Sequence, residues 1–219
     1  MSRKTRRRKG RRQSAAVFKF RIGDVFPADN PLSLWAANLS MAFNDLVFTN
    51  DRMDKARKEW ERFYWSRPAW AHLYEVMQFL RENENDQNVT AFVAELSPDA
   101  QEAYRRALEL YVENRAILGK VRNNVAFHYP HKRGLRMLRA TLIAAAEGEG
   151  QHGSQTGKIR DARLTFADDF QAHMVVKACG GRIEDYEEKA ASIGELTAAL
   201  MKFLNHGLDH YFVTREAAT

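Results

Sequence analysis

Apolar residues recur every three or four positions along most of this chain, the spacing that turns one face of an α-helix toward a core. After Asn30-Pro31, an N-cap with Pro at the first helical position, the series Trp35, Leu39, Phe43, Leu46 predicts a helix; it either continues through the charged residues 51–62 or breaks once near Thr49-Asn50. Pro68 predicts the start of another, carrying Trp70, Leu73, Met77 and Leu80. Ser97-Pro98-Asp99 opens a long helix reaching toward Pro130. Its weak point is Gly119, because a mid-helix glycine costs ~1 kcal/mol relative to alanine. Residues 135–146 continue as a short helix, and residues 147–157, with four glycines, form the most flexible internal loop. Residues 160–178 read as helix closed by Gly180-Gly181, and Ser192-Ile193-Gly194-Glu195 fits a capping box for a last helix through Leu196, Leu200, Phe203, Leu204 and Leu208. Only residues 17–26 depart: Phe18, Phe20 and Ile22 alternate with Lys19 and Arg21, which predicts a short extended strap. The expected fold is all-α, a helical bundle of about six or seven helices.

The 219 residues, 45% apolar and 11% aromatic, suffice for one sizeable core, so residues 17–219 read as a single domain. The net charge of +6 changes meaning once located. Residues 1–12 hold eight basic side chains and no acid, and the 34 basic residues less those eight leave 26 against 28 acids in the remainder. Such a run repels itself and has nothing to bury, so residues 1–16 are expected to be a disordered tail. Arg6, Arg7, Arg8, Lys9, Arg11 and Arg12 are its candidate contacts to nucleic-acid phosphates, acting by counterion release; a solubilising tail is the plainer reading. Cys179 is the only cysteine, so no intramolecular disulfide can form and the composition fits a reducing cytosol. No apolar run of about eighteen residues is present to span a bilayer, and the basic start is not followed by the apolar stretch of a signal peptide. The expected location is cytoplasmic.

The chemistry concentrates in residues 120–130. On the long helix, steps of four and three from Tyr104 pass through Leu108, Tyr111, Arg115, Leu118, Arg122 and Val125; the neighbouring seam runs Ala107, Leu110, Asn114, Ile117, Val121, Asn124, His128. Polar groups on core-facing seams cost free energy unless hydrogen-bonded or set in a wet cleft. Arginine offers a permanent planar cation to phosphate oxygens, and histidine can give or take a proton near neutrality. The plainer reading pairs Arg122 with an acid such as Glu75 and leaves His128 capping carbonyls at the helix end.

Arg122, the polar Asn123, five intervening residues, and His128 before Tyr129-Pro130 resemble the signature of the HEPN superfamily, in which Arg is followed after four to six residues by His near the end of a helix in an all-α domain. Many members are metal-independent RNases of toxin-antitoxin, phage-defence and RNA-processing systems. The resemblance implies attack by the substrate's own 2′-hydroxyl on the adjacent phosphate, leaving a 2′,3′-cyclic phosphate and a free 5′-hydroxyl, with neither metal nor other cofactor. It assigns His128 to proton transfer, Arg122 to the charge of the transition state, and Asn123 to orienting the phosphate or the His; Tyr129 and His131 are possible substrate contacts. On a straight helix, Arg122 and His128 stand roughly 120° and about 9 Å apart, so a homodimer with a shared cleft, as the resemblance implies, would bring two copies of each group together. RNA, a second copy and possibly an antitoxin protein are the expected partners. The alternatives are a non-catalytic HEPN-like RNA-binding or adaptor module, and a helical interaction protein whose basic arm engages nucleic acid.

Other constellations read more plainly. His206 and His210 share a helix face but lack a third ligand, so no metal site is expected. Trp60, Phe63, Tyr64, Trp65 and Trp70, interleaved with Arg57, Arg62 and Arg67, favour core packing with snorkelling arginines over a base-stacking surface. Cys179 has no evident base. Gly-rich phosphate loops and a nucleophile elbow are absent.

Overall fold

The structure, a computed structural model, describes residues 20–126, 142–143 and 165–216. Among these are seven α-helices, one π-helical turn and no strand: α1 (Ile22–Val25), α2 (Pro31–Lys55), α3 (Glu59–Asn83), α4 (Gln87–Glu95), α5 (Pro98–Val121), the π-turn Arg122–Ala126, α6 (Thr165–Cys179) and α7 (Ile183–Glu216). The protein is an all-α bundle. The expected tail, the helix over 135–146 apart from residues 142–143, and the glycine-rich loop lie outside the described residues.

Three start signals act as the local chemistry requires. Asn30 Oδ1 accepts the Ser33 N–H at 3.1 Å, with Pro31 following at the first helical position. Ser97 Oγ accepts the Ala100 N–H at 3.4 Å, and Asp86 Oδ1 accepts from Asn88 and Val89. The last of these opens α4, a helix the sequence reading did not foresee, although Val89 and Phe92 carry its buried face.

Four expectations are corrected. Neither course left open for the first helix holds: α2 runs unbroken past Thr49-Asn50 but stops at Lys55, and α3 begins afresh at Glu59 within the charged stretch. Pro68 does not start a helix; it sits inside α3. A proline there removes one helical hydrogen bond, yet Phe63 and Trp70 on either side pack on Tyr186 of α7, with ring centroids 4.8 and 5.8 Å away. This tertiary burial carries the helix through. Ser192 does not begin the last helix either, since α7 starts at Ile183, after Gly180 and Gly181 have turned the chain with φ of 150° and 103°. The Gly181 N–H closes α6 on Val176 O at 3.0 Å, and Glu184 and Asp185 in the first turn of α7 suit the positive end of its dipole. The expected strap over 17–26 is, from Ile22, the helical turn α1, because Val25 O accepts the buried Tyr211 hydroxyl at 2.7 Å and Phe26 stacks on the Tyr211 ring.

Helix α5 lies along α7, and α3 is set between α2 and α5. Their shared core includes Trp35, Leu73, Met77, Leu80, Leu118, Phe203 and Leu204. Polar ties cross it: Asn114 Nδ2, on a buried side chain, donates to Leu110 O at 2.9 Å and to Ser192 Oγ at 2.8 Å, and the Tyr211 hydroxyl donates to Ser33 Oγ at 2.9 Å.

Candidate functional site

At the C-terminal end of α5 the chain widens from α to π winding, and the first residue of that turn is Arg122. π-Turns inside helices occur frequently at functional sites. This one is gripped from α3 by Arg67, a buried side chain whose Nη1 donates to Val125 O at 3.3 Å and whose guanidinium lies 4.9 Å over the Tyr64 ring. Asn124 Nδ2 caps Lys120 O at 2.8 Å. The widening means that a straight α-helix does not describe the chain after Val121, so the roughly 120° offset expected between Arg122 and His128 rests on a geometry the chain does not keep.

Arg122 is held on two sides. Its Nε donates to Glu75 Oε1 of α3 at 2.5 Å, and its Nη1 donates to Asn123 Oδ1 at 2.9 Å. Both partners of the ion pair face water, the Arg122 side chain being 35% and the Glu75 side chain 47% exposed. A pair this exposed contributes at most about 1 kcal/mol, so it aims the guanidinium more than it secures the fold. The group borders an open groove of about 450 Å³ with Tyr74, Gln78, Phe79, Glu82 and Asn123. A smaller recess of about 100 Å³ shares Gln78 and Glu82 and adds Arg81, Tyr111 and Arg115.

Gly119 explains how α3 and α5 come close enough to form the groove floor. A Cβ at that position would stand 3.3 Å from Tyr74 Cε2, so the ring lies on the bare backbone. Along the first seam of α5, Tyr111, Leu118 and Val125 are buried while Arg115 is exposed. The arginines thus sit where the core meets water.

Of the candidate catalytic residues the structure brings together Arg122 and Asn123. His128, Tyr129, His131 and the tail residues Arg6, Arg7, Arg8, Lys9, Arg11 and Arg12 lie outside the described residues. Sequence reasoning missed Arg67 as the residue gripping the π-turn; separated from Val125 by 58 positions, it has no local signal of that role. Glu75, named as the acid that would pair with Arg122, is the partner found.

The remaining candidates divide. Phe63 and Trp70 are core residues, whereas Tyr64 is exposed and packs edge-on against Trp65, which meets the exposed Phe48 in the same way. His210 Nε2 faces Glu95 Oε2 at 3.7 Å, with its ring against Phe92; among the described residues no three His, Cys, Asp or Glu side chains are grouped to hold a metal. Burial pushes the Cys179 thiol up to about 11, so it stays protonated and unreactive at neutral pH. Among the described residues no helix is long and apolar enough to cross a membrane.

No family model, curated protein or solved structure matches the chain.

Proposed function

We propose that this chain is a metal-independent endoribonuclease of HEPN type that cleaves RNA through 2′-hydroxyl attack to leave a 2′,3′-cyclic phosphate, acting as a toxin or phage-defence effector. The observation that carries the reading is the setting of Arg122 and Asn123: hydrogen-bonded to each other, on a π-turn, at the edge of an open groove. A guanidinium pre-aimed by Glu75 and reachable by solvent suits the stabilisation of charge developing on a phosphate. His128, six positions on, supplies the proton transfer. The working unit is a homodimer in which two copies share one cleft, RNA is the substrate, and a companion antitoxin restrains the activity. The basic residues 6–12 hold the RNA backbone.

One observation favours a second reading. Arg122 is already neutralised by Glu75, as it would be in a non-catalytic RNA-binding or adaptor module where the pair merely ties α3 to the π-turn. Incubation of the purified protein with mixed RNAs in EDTA separates the two. Cleavage with cyclic-phosphate ends is expected, falling by a factor of ~10²–10⁴ in His128→Ala, the range for a lost general acid or base, and comparably in Arg122→Ala. Both variants should keep the helical circular dichroism of the parent. Intact RNA with the parent protein, or full activity in His128→Ala, rejects the catalytic assignment.

A further inference from the structure

Helix α2 carries apolar residues on two faces. Trp35, Leu39 and Leu46 are buried in the core, but Leu34, Met41 and Phe48, spaced seven positions apart, are 54%, 60% and 53% exposed. Positions repeating every seven drift only about 20° per repeat on an α-helix, so the three lie in one stripe about 21 Å long. Ala37 and Asn44, small or polar, occupy the positions between them. A helix face open to water is ordinarily polar, whereas an apolar seam in heptad register is the pattern by which helices of separate chains pair. Phe48 is already braced, with its ring edge-on to that of Trp65 on α3 at 6.1 Å between centroids, so it has little side-chain freedom left to lose on meeting a partner.

The charges at the two ends of the stripe select the partner. Arg52, one turn beyond Phe48, lies over that ring at 5.1 Å, and Asp29 is exposed just before the helix starts; among the described residues neither makes an ion pair. Nearby, Asp51 and Lys55 neutralise each other at 2.6 Å, and Asp54 borders a recess toward α7. The stripe therefore ends in an uncompensated cation on one side and an uncompensated anion on the other. A second copy laid antiparallel, about a two-fold axis at Met41, matches both features at once. Leu34 meets Phe48 of the second copy, Met41 meets its own equivalent, and Arg52 comes level with Asp29 of the second copy, twice by symmetry. A parallel copy would instead set Arg52 against Arg52.

We propose that the stripe of Leu34, Met41 and Phe48 docks a second copy of this chain, α2 against α2 in antiparallel sense, with Arg52 and Asp29 paired across the contact. Helix α3 stands between α2 and α5, so the contact uses none of the residues of the Arg122 groove and holds whether or not the chain cleaves RNA. Three half-exposed side chains from each copy bury less than the ~800 Å² a side of a standard interface. The dimer is accordingly reversible, half formed at roughly tens of micromolar chain.

Sedimentation equilibrium of the full chain without RNA, over roughly 1–300 µM, tests it. The parent should show a reversible monomer–dimer equilibrium. Met41→Asp sets two like charges together at the axis and should weaken association at least tenfold, with the helical circular dichroism of the parent monomer retained because the side chain is outside the core. Arg52→Asp and Asp29→Arg should each weaken it by roughly five- to tenfold, since symmetry breaks two rim pairs at once. The double variant Asp29→Arg, Arg52→Asp should recover most of the loss, a rescue that general damage to the fold would not give. A parent that stays monomeric at the highest concentration, undiminished association in Met41→Asp, or no recovery in the double variant each overturns the proposal. Undiminished association in Met41→Asp would assign the dimer to another face and leave the shared-cleft homodimer standing, and the cleavage assay in EDTA judges the ribonuclease reading separately.

Discussion

Arg122 divides its donors between an acid on another helix and the amide beside it, and the division has a measurable consequence. If the guanidinium serves a phosphate, Glu75 competes with that phosphate for it. Glu75→Gln keeps an acceptor for Arg122 Nε but removes the competing charge. RNA should then bind about fivefold more tightly, the equivalent of ~1 kcal/mol for an exposed charge, with the melting temperature barely changed. Unaltered RNA affinity with a lower melting temperature would make the pair a structural tie. Tyr104 offers an independent test of burial. Its ring lies 4.7 Å from that of Phe203, its hydroxyl is buried with no hydrogen-bond partner, and burial, with Glu84 nearby, pushes it up to about 12. When unfolded, the group ionises near its ordinary value of 10. Between pH 10 and 12 the unfolded chain therefore releases the proton first, and stability falls as pH rises. Tyr104→Phe should be neutral or slightly stabilising at pH 7 and should resist alkaline unfolding better than the parent. The improvement is partial, because burial raises Tyr111 in the same way, also to about 12. Urea midpoints at pH 7 and pH 11 measure both effects.

Helix α5 shows how local preference and packing trade at the scale of an element. Gly119 weakens it by ~1 kcal/mol relative to alanine but lets the Tyr74 ring lie on the backbone. That ring borders the open groove, so it has room to tilt by the few tenths of an ångström a methyl group needs. Gly119→Ala should stabilise the protein by about 0.5 kcal/mol, most of the propensity gain less the crowding. A loss larger than about 1 kcal/mol would show that the α3–α5 crossing cannot adjust. The same balance explains where the element boundaries were legible. Asn30 and Ser97 cap their helices through side chains next to the helices they start, a relation confined to four residues. Pro68 and the Ser192–Glu195 pattern carry equally local signals, yet both lie inside helices. What overrides them is the packing of α3 on α7 through Phe63, Trp70 and Tyr186, which no window of neighbouring residues contains.

For the molecule as a whole, charge is segregated between the first twelve residues and the rest. If the tail tracks phosphates, deleting residues 1–12 should weaken RNA binding and flatten the plot of log K against log salt by ~0.7 for each single-strand phosphate the tail had neutralised, without shifting sequence preference. An unchanged slope would leave the tail no part in RNA binding. The shared-cleft dimer predicts that mixing Arg122→Ala with His128→Ala protomers restores cleavage in some heterodimers, or, if all four groups are needed, that excess His128→Ala protein poisons the parent. A monomer by light scattering that cleaves at full rate would exclude it.

The all-α class and the caps at Asn30 and Ser97 were determined by the sequence alone, because helical periodicity and capping are properties of residues close together along the chain; Arg122 and Asn123 were picked out there by side-chain chemistry, and their role is the proposal above. The widening of α5 into a π-turn and the grip of Arg67 on Val125 were decided only by the tertiary structure, which also selected Glu75, an acid the sequence had offered, as the partner of Arg122. Each depends on which residues from distant parts of the chain become neighbours, and that follows from how the helices pack to bury their apolar faces together.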